Sequence, residues 1–252
     1  MRIYIPTVGR VGRQLTADAL RDAGADYQLV VPAAEARLHK KHPVLVAPAE
    51  ACSEITKKRQ WILDNAAAPK FAMFDDDLKF KVRREDGTQF DYADSDAISK
   101  MLYSIESQLD RVAHVGLTDD FMAHTRLRGF IRVGRYNQVL AYNTSLFSKG
   151  DWPRFRVYGS EEHDFHLQLL ARGLQPVILT EYTKASKNYA AGGISTFKPR
   201  SAEDEMRAHR EIAEKWPDFV KIVPNERSIS GYSVQIKWAE ANKVLVNRGR
   251  LM

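Results

Sequence analysis

The sequence predicts an α/β protein: one domain on a mostly parallel central sheet with helices on both faces. Strand-like and helix-like segments alternate as βαβα through the first half of the chain, the signature of parallel strands joined by covering helices. The 252 residues, 44% of them hydrophobic, suffice for one large packed core. The longest apolar runs are strand-sized and broken by charge, so none is long enough to span a bilayer.

The elements follow in order. Arg2 to Pro6 reads as a strand entering a loop, Arg13 to Ala23 as a helix stopped at Gly24, and Tyr27 to Val31 as a strand ended by Pro32. Val44 to Ala47 is a third strand, Ser53 to Ala67 a helix expected to expose its basic residues, and Phe71 to Phe74 a fourth strand. VRREDGTQFDY turns as a hairpin at Asp86-Gly87. From Ser95, the residues Ile98, Met101, Leu102, Ile105, Leu109 and Val112 fall on one helical face, which marks a core stripe. Strands are expected at Ala113 to Leu117, Phe130 to Val133, Gln138 to Tyr142 and Val177 to Thr180, with a helix at Glu162 to Arg172. A polar helix at Ala202 to Lys215 and the alternating run ISGYSVQIKW close the chain. Residues 1–200 are taken as the main domain and 201–252 as an extension packed on it.

Cys52 is the sole cysteine, which excludes a disulfide framework and a thiolate metal cluster and leaves burial as its role. MRIYIPTVGR lacks the apolar centre of a signal peptide, so a cytoplasmic location is expected. A net charge of +6 favours an anionic partner, either nucleic acid or nucleotide.

Three segments carry chemistry. FAMFDDDLKF sets Asp75, Asp76 and Asp77 at the end of an apolar strand, the end where ligands bind in parallel sheets. Adjacent carboxylates repel one another, and a hard divalent cation such as Mg²⁺ or Mn²⁺ relieves that repulsion; a solvated acidic turn is the plainer reading. GSEEHDFHLQLLARG crowds Glu161, Glu162 and Asp164 at a helix start. The helix dipole favours carboxylates there, and a surplus one near a metal-diphosphate site could serve as general base. His163 and His166, three apart, are either a metal pair or surface and capping residues. IPTVGRVGR and NYAAGGIS contain glycines that let a backbone approach a phosphate, with Arg10 and Arg13 able to add charge, although glycine after a strand is also ordinary turn chemistry.

Taken in order, IYIPTVGR, YQLVVPAAEA, ITKKRQWILDNA, FDDDL and EEHDFHLQLLARG resemble a GT-A type nucleotide-sugar glycosyltransferase. With IRVGRYNQVLAYN and NYAAGGIS the chain resembles the TET-associated glycosyltransferases, largely bacteriophage enzymes that glycosylate hydroxymethylated pyrimidines such as hydroxymethylcytosine in DNA. The resemblance covers roughly residues 2 to 200. It implies a GT-A (Rossmann-like) fold, a nucleotide-sugar donor, a UDP-sugar by preference, and a Mn²⁺ or Mg²⁺ cofactor. It also implies DNA containing a hydroxymethylated pyrimidine as partner, in the host cytoplasm for a phage enzyme.

Position by position, Asp75 and Asp77 match the outer residues of the DxD motif and are expected to hold the cation and the donor's ribose or diphosphate, with Asp76 sharing the work. Pro6, Thr7 and Arg10 match the first nucleotide loop, Arg59 a basic position facing the donor, and Gly192 and Gly193 the late donor loop. Glu162 stands where the family usually has aspartate and is the expected base, with Asp164 second. The late histidine that many relatives give to the metal is missing from KASKNYAAGG, which leaves Asn188 or water as third ligand. Arg83, Arg84, Arg126, Arg128 and Gln138 are the candidates for the acceptor. A glycan or small-molecule acceptor, a sugar nucleotidyltransferase and a non-catalytic nucleic-acid binder are the competing readings.

Overall fold

The computed structural model describes residues 1–87, 89–123, 128–147, 152–186 and 201–249. Its strands are β1 (Arg2–Pro6), β2 (Tyr27–Pro32), β3 (Val44–Ala47), β4 (Lys70–Phe74), β5 (Lys79–Arg83), β6 (Phe90–Tyr92), β7 (His114–Asp119), β8 (Phe130–Ile131), β9 (Val139–Asn143), β10 (Val177–Ala185), β11 (Val220–Pro224) and β12 (Tyr232–Ile236). The helices are α1 (Leu15–Asp22), α2 (Ala33–Ala36), α3 (Ile55–Asn65), α4 (Ser95–Leu109), α5 (Asp120–Ala123), α6 (Glu161–Ala171), α7 (Ala202–Lys215) and α8 (Trp238–Gly249).

The central sheet runs β3-β2-β1-β4-β9-β7-β10-β5-β6, with β8 against β10. The four leading strands are all parallel, as the βαβα order predicts. Beyond β4 the sheet is mixed: β9 lies antiparallel between β4 and β7, β10 is parallel to β7, and the β5–β6 hairpin closes the far edge antiparallel to β10. Gly87, in the left-handed region at φ 77°, makes the hairpin's turn.

Two-residue alternation divides the core. Ile3, Ile5, Leu29, Val31, Ala72 and Phe74 point to the face that α1 and α4 cover with Leu20, Ile98, Met101 and Ile105. Tyr4, Val30, Phe71, Met73 and Tyr142 point to the other, covered by α3 and α6 with Ile62, Leu63, Phe165 and Leu169. Helix α6 is apolar on its outer side too, where Leu167 and Leu170 meet Ile212 of α7, Phe219, Val220, and Ala241 and Leu245 of α8. The C-terminal residues therefore enclose α6. The alternating tail forms β12 paired with β11, and it leads into α8, a helix the sequence analysis did not name.

No helix among the described residues is long and apolar enough to cross a membrane. Cys52 is half-buried beside the α3 face, where burial raises its thiol pKa.

Candidate active site

The carboxyl ends of β1, β4, β7 and β10 and the amino end of the antiparallel β9 lie at one side of the sheet. The DDD turn leaves β4 there and is fastened to the start of α1. Thr16 Oγ1 donates to the Asp75 carbonyl (2.5 Å) and accepts from the Leu78 amide (2.9 Å). Asp76 turns inward: Thr7 Oγ1 donates to its Oδ2 and Arg10 donates to its Oδ1. It therefore anchors the loop after β1 rather than offering a free carboxylate. Arg10 also reaches Asp77 at 3.0 Å. Pro6 pairs with Val30 in the sheet and so fixes where this loop begins. Gly9, at φ 67°, donates its amide to Glu35.

Helix α3 supplies the central cation. Arg59 is buried and binds Asp75 Oδ1 (2.7 Å), Glu161 Oε1 (2.8 Å) and Glu162 Oε1 (2.8 Å), joining the DDD turn to the first turn of α6. Burial alone would lower its pKa, but Glu162, Asp75 and Glu161 outweigh that and raise it. The expectation that this helix exposes its basic residues fails for Lys58 as well, which is 0% exposed and donates to the carbonyls of Thr7 (2.9 Å) and Val30 (3.4 Å). Burial lowers the Lys58 pKa. The signal was in the sequence: Ile55, Lys58, Arg59, Ile62 and Leu63 follow the spacing of one helical face, so both cations share the inward stripe.

Glu162 is the more open of the two glutamates, with 15% of its side chain exposed against 8% for Glu161. Its Oε1 accepts the Gln138 amide (2.9 Å) and meets Arg59. Asp164, the second choice for base, is 0% exposed, and its carboxylate is taken up by Arg156, Gln168 and the Trp216 indole of the C-terminal extension. A carboxylate so enclosed ties α6 to the segments packed around it. His163 and His166 pack against different aromatic partners. His166 is buried and stacks on Tyr136, His163 lies edge-on to Trp238, and burial drives both pKa values down, that of His163 to about 4.

Three acceptor candidates lie on or against the β5–β6 hairpin. Arg83 is buried and donates to the carbonyls of Thr180 and Gly87, so it braces the hairpin. Arg84 is exposed but paired with Asp91, and exposed Arg128 donates to the Arg84 carbonyl near Glu181. Gln138 is at the site, with its side chain on Ser186. Arg126, Asn188, Gly192 and Gly193 lie outside the described residues.

A second charged group, which the sequence did not announce, borders the first. Asp119 at the end of β7 binds Lys184 Nζ (2.5 Å) and Arg135 (2.7 Å), and Lys184 also donates to Asn137 Oδ1 (2.7 Å). Lys184 reaches the site because β10 runs five residues past the expected Thr180.

Within the cluster, Asp75, Asp76, Asp77, Glu161 and Glu162 pair with Arg10 and Arg59, so five carboxylates face two guanidinium groups, with Lys58 held on backbone carbonyls beside them. Burial raises the pKa of Asp75 against the pull of Arg59, raises Asp76 to about 6 against Arg10 and Thr7, and raises Asp77 against Arg10. An all-oxygen donor set with surplus negative charge fits a hard divalent cation. No three His, Cys, Asp or Glu side chains converge as a complete cage among the described residues. Such a cation would then draw its remaining ligands from phosphate and water, as Mg²⁺ commonly does.

Residues 1–193 match the family described as TET-Associated Glycosyltransferase. The chain belongs to this family. Among solved structures, this glycosyltransferase is similar to a CMP:2-keto-3-deoxy-manno-octonic acid synthetase complexed with CTP (11% identity, TM-score 0.44, covering 84% of this chain and 98% of that one). It is also similar to a UDP-glucose pyrophosphorylase complexed with UDP-glucose (11%, 0.43, 85% and 98%) and to a putative glucose-1-phosphate thymidylyltransferase from Bacillus anthracis (12%, 0.40, 71% and 85%). No curated protein matches the chain. The family match carries the assignment, and Trp216, Ala241 and Leu245, which enclose α6, lie beyond the matched residues.

Proposed function

We propose that this glycosyltransferase moves a sugar from a nucleotide-sugar donor, a UDP-sugar by preference, to the hydroxyl of a 5-hydroxymethylpyrimidine in DNA. The observation that carries the reading is the Arg59 bridge, which unites the DDD turn and the acidic start of α6 at the ligand-binding end of the sheet. The loop of Pro6, Thr7 and Arg10, stiffened from below by Lys58, receives the nucleotide. Asp75 and Asp77 would hold Mg²⁺ or Mn²⁺, whose charge neutralises the leaving diphosphate. Arg59 holds the surrounding carboxylates in orientation. Glu162, anchored through Oε1, uses Oε2 to take the proton of the acceptor hydroxyl as that oxygen attacks the anomeric carbon. Drawn this way the reaction inverts the sugar.

The acceptor rests on the family and on the chain's net charge of +6. The test is incubation with a panel of nucleotide sugars and plain or hydroxymethylated DNA, followed by digestion to nucleosides and mass analysis. Glycosylated nucleoside, abolished by chelation of divalent metal and by Asp77→Ala, is the expected result. Sugar on a glycan or free nucleoside only would reassign the acceptor, and pyrophosphate release from a nucleoside triphosphate with a sugar phosphate would identify a nucleotidyltransferase instead.

A further inference from the structure

Gln138 is the only non-glycine residue with positive φ among the described residues, at 62°. The Val139 amide donates to the Asn137 carbonyl at 2.6 Å, an i to i+2 bond that closes a γ-turn of the positive-φ kind, which is rare and strained for a residue with a side chain. Both polar groups of the Gln138 backbone face the site. Its N–H donates to Glu162 Oε1 (2.9 Å), and its carbonyl accepts from the Asp75 N–H (2.9 Å). The turn is held from outside as well: Asn137 Oδ1 takes Lys184, Gln138 Nε2 donates to Ser186 Oγ, and Val139 is already in register with Phe74.

We propose that Gln138 is a positioning residue whose backbone sets the spacing between the Asp75 turn and the Glu162 carboxylate, rather than a side-chain contact to the acceptor. A relaxed turn would swing the amide away from Glu162 or the carbonyl away from Asp75, because the φ and ψ of this one residue set the angle between its N–H and its C=O. The surrounding bonds prevent that relaxation. Oε1 of Glu162 stays fixed on the Gln138 amide. The inference rests on the proposed roles of Asp75 and Glu162.

The test is a series at this position, read as kcat, as KM for each substrate and as melting midpoint. Gln138→Gly keeps both backbone groups and favours positive φ, Gln138→Ala retains the Cβ penalty, and Gln138→Val adds β-branching that this φ opposes. The expected order of kcat is Gly, then Ala, then Val, with Val down by about 10²-fold, the scale of an ångström-sized misplacement. KM for the nucleotide sugar should stay within about threefold throughout, since transition-state geometry is what is lost. Gly should also melt above Ala by about 2–4 °C. If Val does not fold, the Gly and Ala pair still decides the order. Equal loss in all three variants, or an equal rise in acceptor KM, would assign the effect to the side chain and overturn the inference. Should Glu162→Gln keep full activity, the site reading falls and takes this inference with it. An inactive Glu162→Gln beside a fully active Gln138→Val leaves the site standing and overturns the inference alone.

Discussion

Replacing Arg59 by methionine keeps an unbranched stem but shortens the side chain and removes the charge that three carboxylates share. Arg59 is 3% exposed and lies within 2.8 Å of Asp75, Glu161 and Glu162, all of which remain when it is gone. Breaking a buried ion pair by deleting one partner typically costs about 3–5 kcal/mol, because the charge left behind has lost its water and its partner. For a chain of this size 1 kcal/mol corresponds to about 2–4 °C, so the melting midpoint near pH 7 should fall by about 6–20 °C. The loss should depend on pH. Burial already raises Asp75 and Glu162 adds to that, with Arg59 as the main opposing influence, so its removal raises Asp75 further. A carboxyl whose folded pKa lies above its unfolded value contributes stability at low pH that is lost as pH rises through the folded pKa. The deficit should therefore be smaller near pH 4.5 than near pH 7, and millimolar Mg²⁺ or Mn²⁺ should restore part of it at neutral pH. Calorimetric melts of both proteins at the two pH values measure this. A variant that melts within about 2 °C of the wild type near pH 7 would refute the argument, as would an equal deficit at both pH values.

The two carboxylates proposed for base catalysis should separate cleanly. Glu162→Gln should lower transfer by about 10²- to 10⁴-fold with donor binding nearly intact, whereas Asp164→Asn should act mainly on the melting midpoint, since Asp164 clamps α6 to Trp216; a crippled but stable Asp164→Asn would reverse the assignment. The buried histidines should make the fold acid-sensitive. His114 and His163 are held near pKa 4 by burial, so their stabilising contribution is complete above the ordinary 6.5 and is lost as pH falls towards 4. His166 is lowered for the same reason, so His166→Phe, keeping the stack on Tyr136, should gain stability relative to wild type between pH 7 and 5; a constant difference would contradict this. On the hairpin, Arg84→Glu should raise the KM for DNA with little effect on the melt, while Arg83→Glu should destabilise by about 3–5 kcal/mol by burying an acid against carbonyls; the reverse pattern would return Arg83 to the acceptor surface.

Much of this site was legible in the chain. Pattern and turn chemistry place β1 to β4, the core stripe of α4 and the carboxylates at the end of β4, because burial imposes a period of 2 on strands and 3.6 on helices and leaves that period in the order of residues. What the order does not contain is which distant segment lies alongside. The antiparallel seat of β9 between β4 and β7 brings Gln138 to Asp75. The extra length of β10 delivers Lys184 to Asp119. The enclosure of α6 by the C-terminal residues commits Asp164 to Trp216 while Glu162 keeps part of its side chain exposed. Arg83 and Arg59 look alike as sequence, each a basic residue in a basic run, yet one finds carbonyls and the other carboxylates. The sequence by itself determined the parallel half of the sheet, the acidic turn and the family. The tertiary structure decided which charges meet, because a charge is stabilised by whatever partner the folded chain brings within a few ångströms, and that partner is set by packing between segments far apart in the sequence.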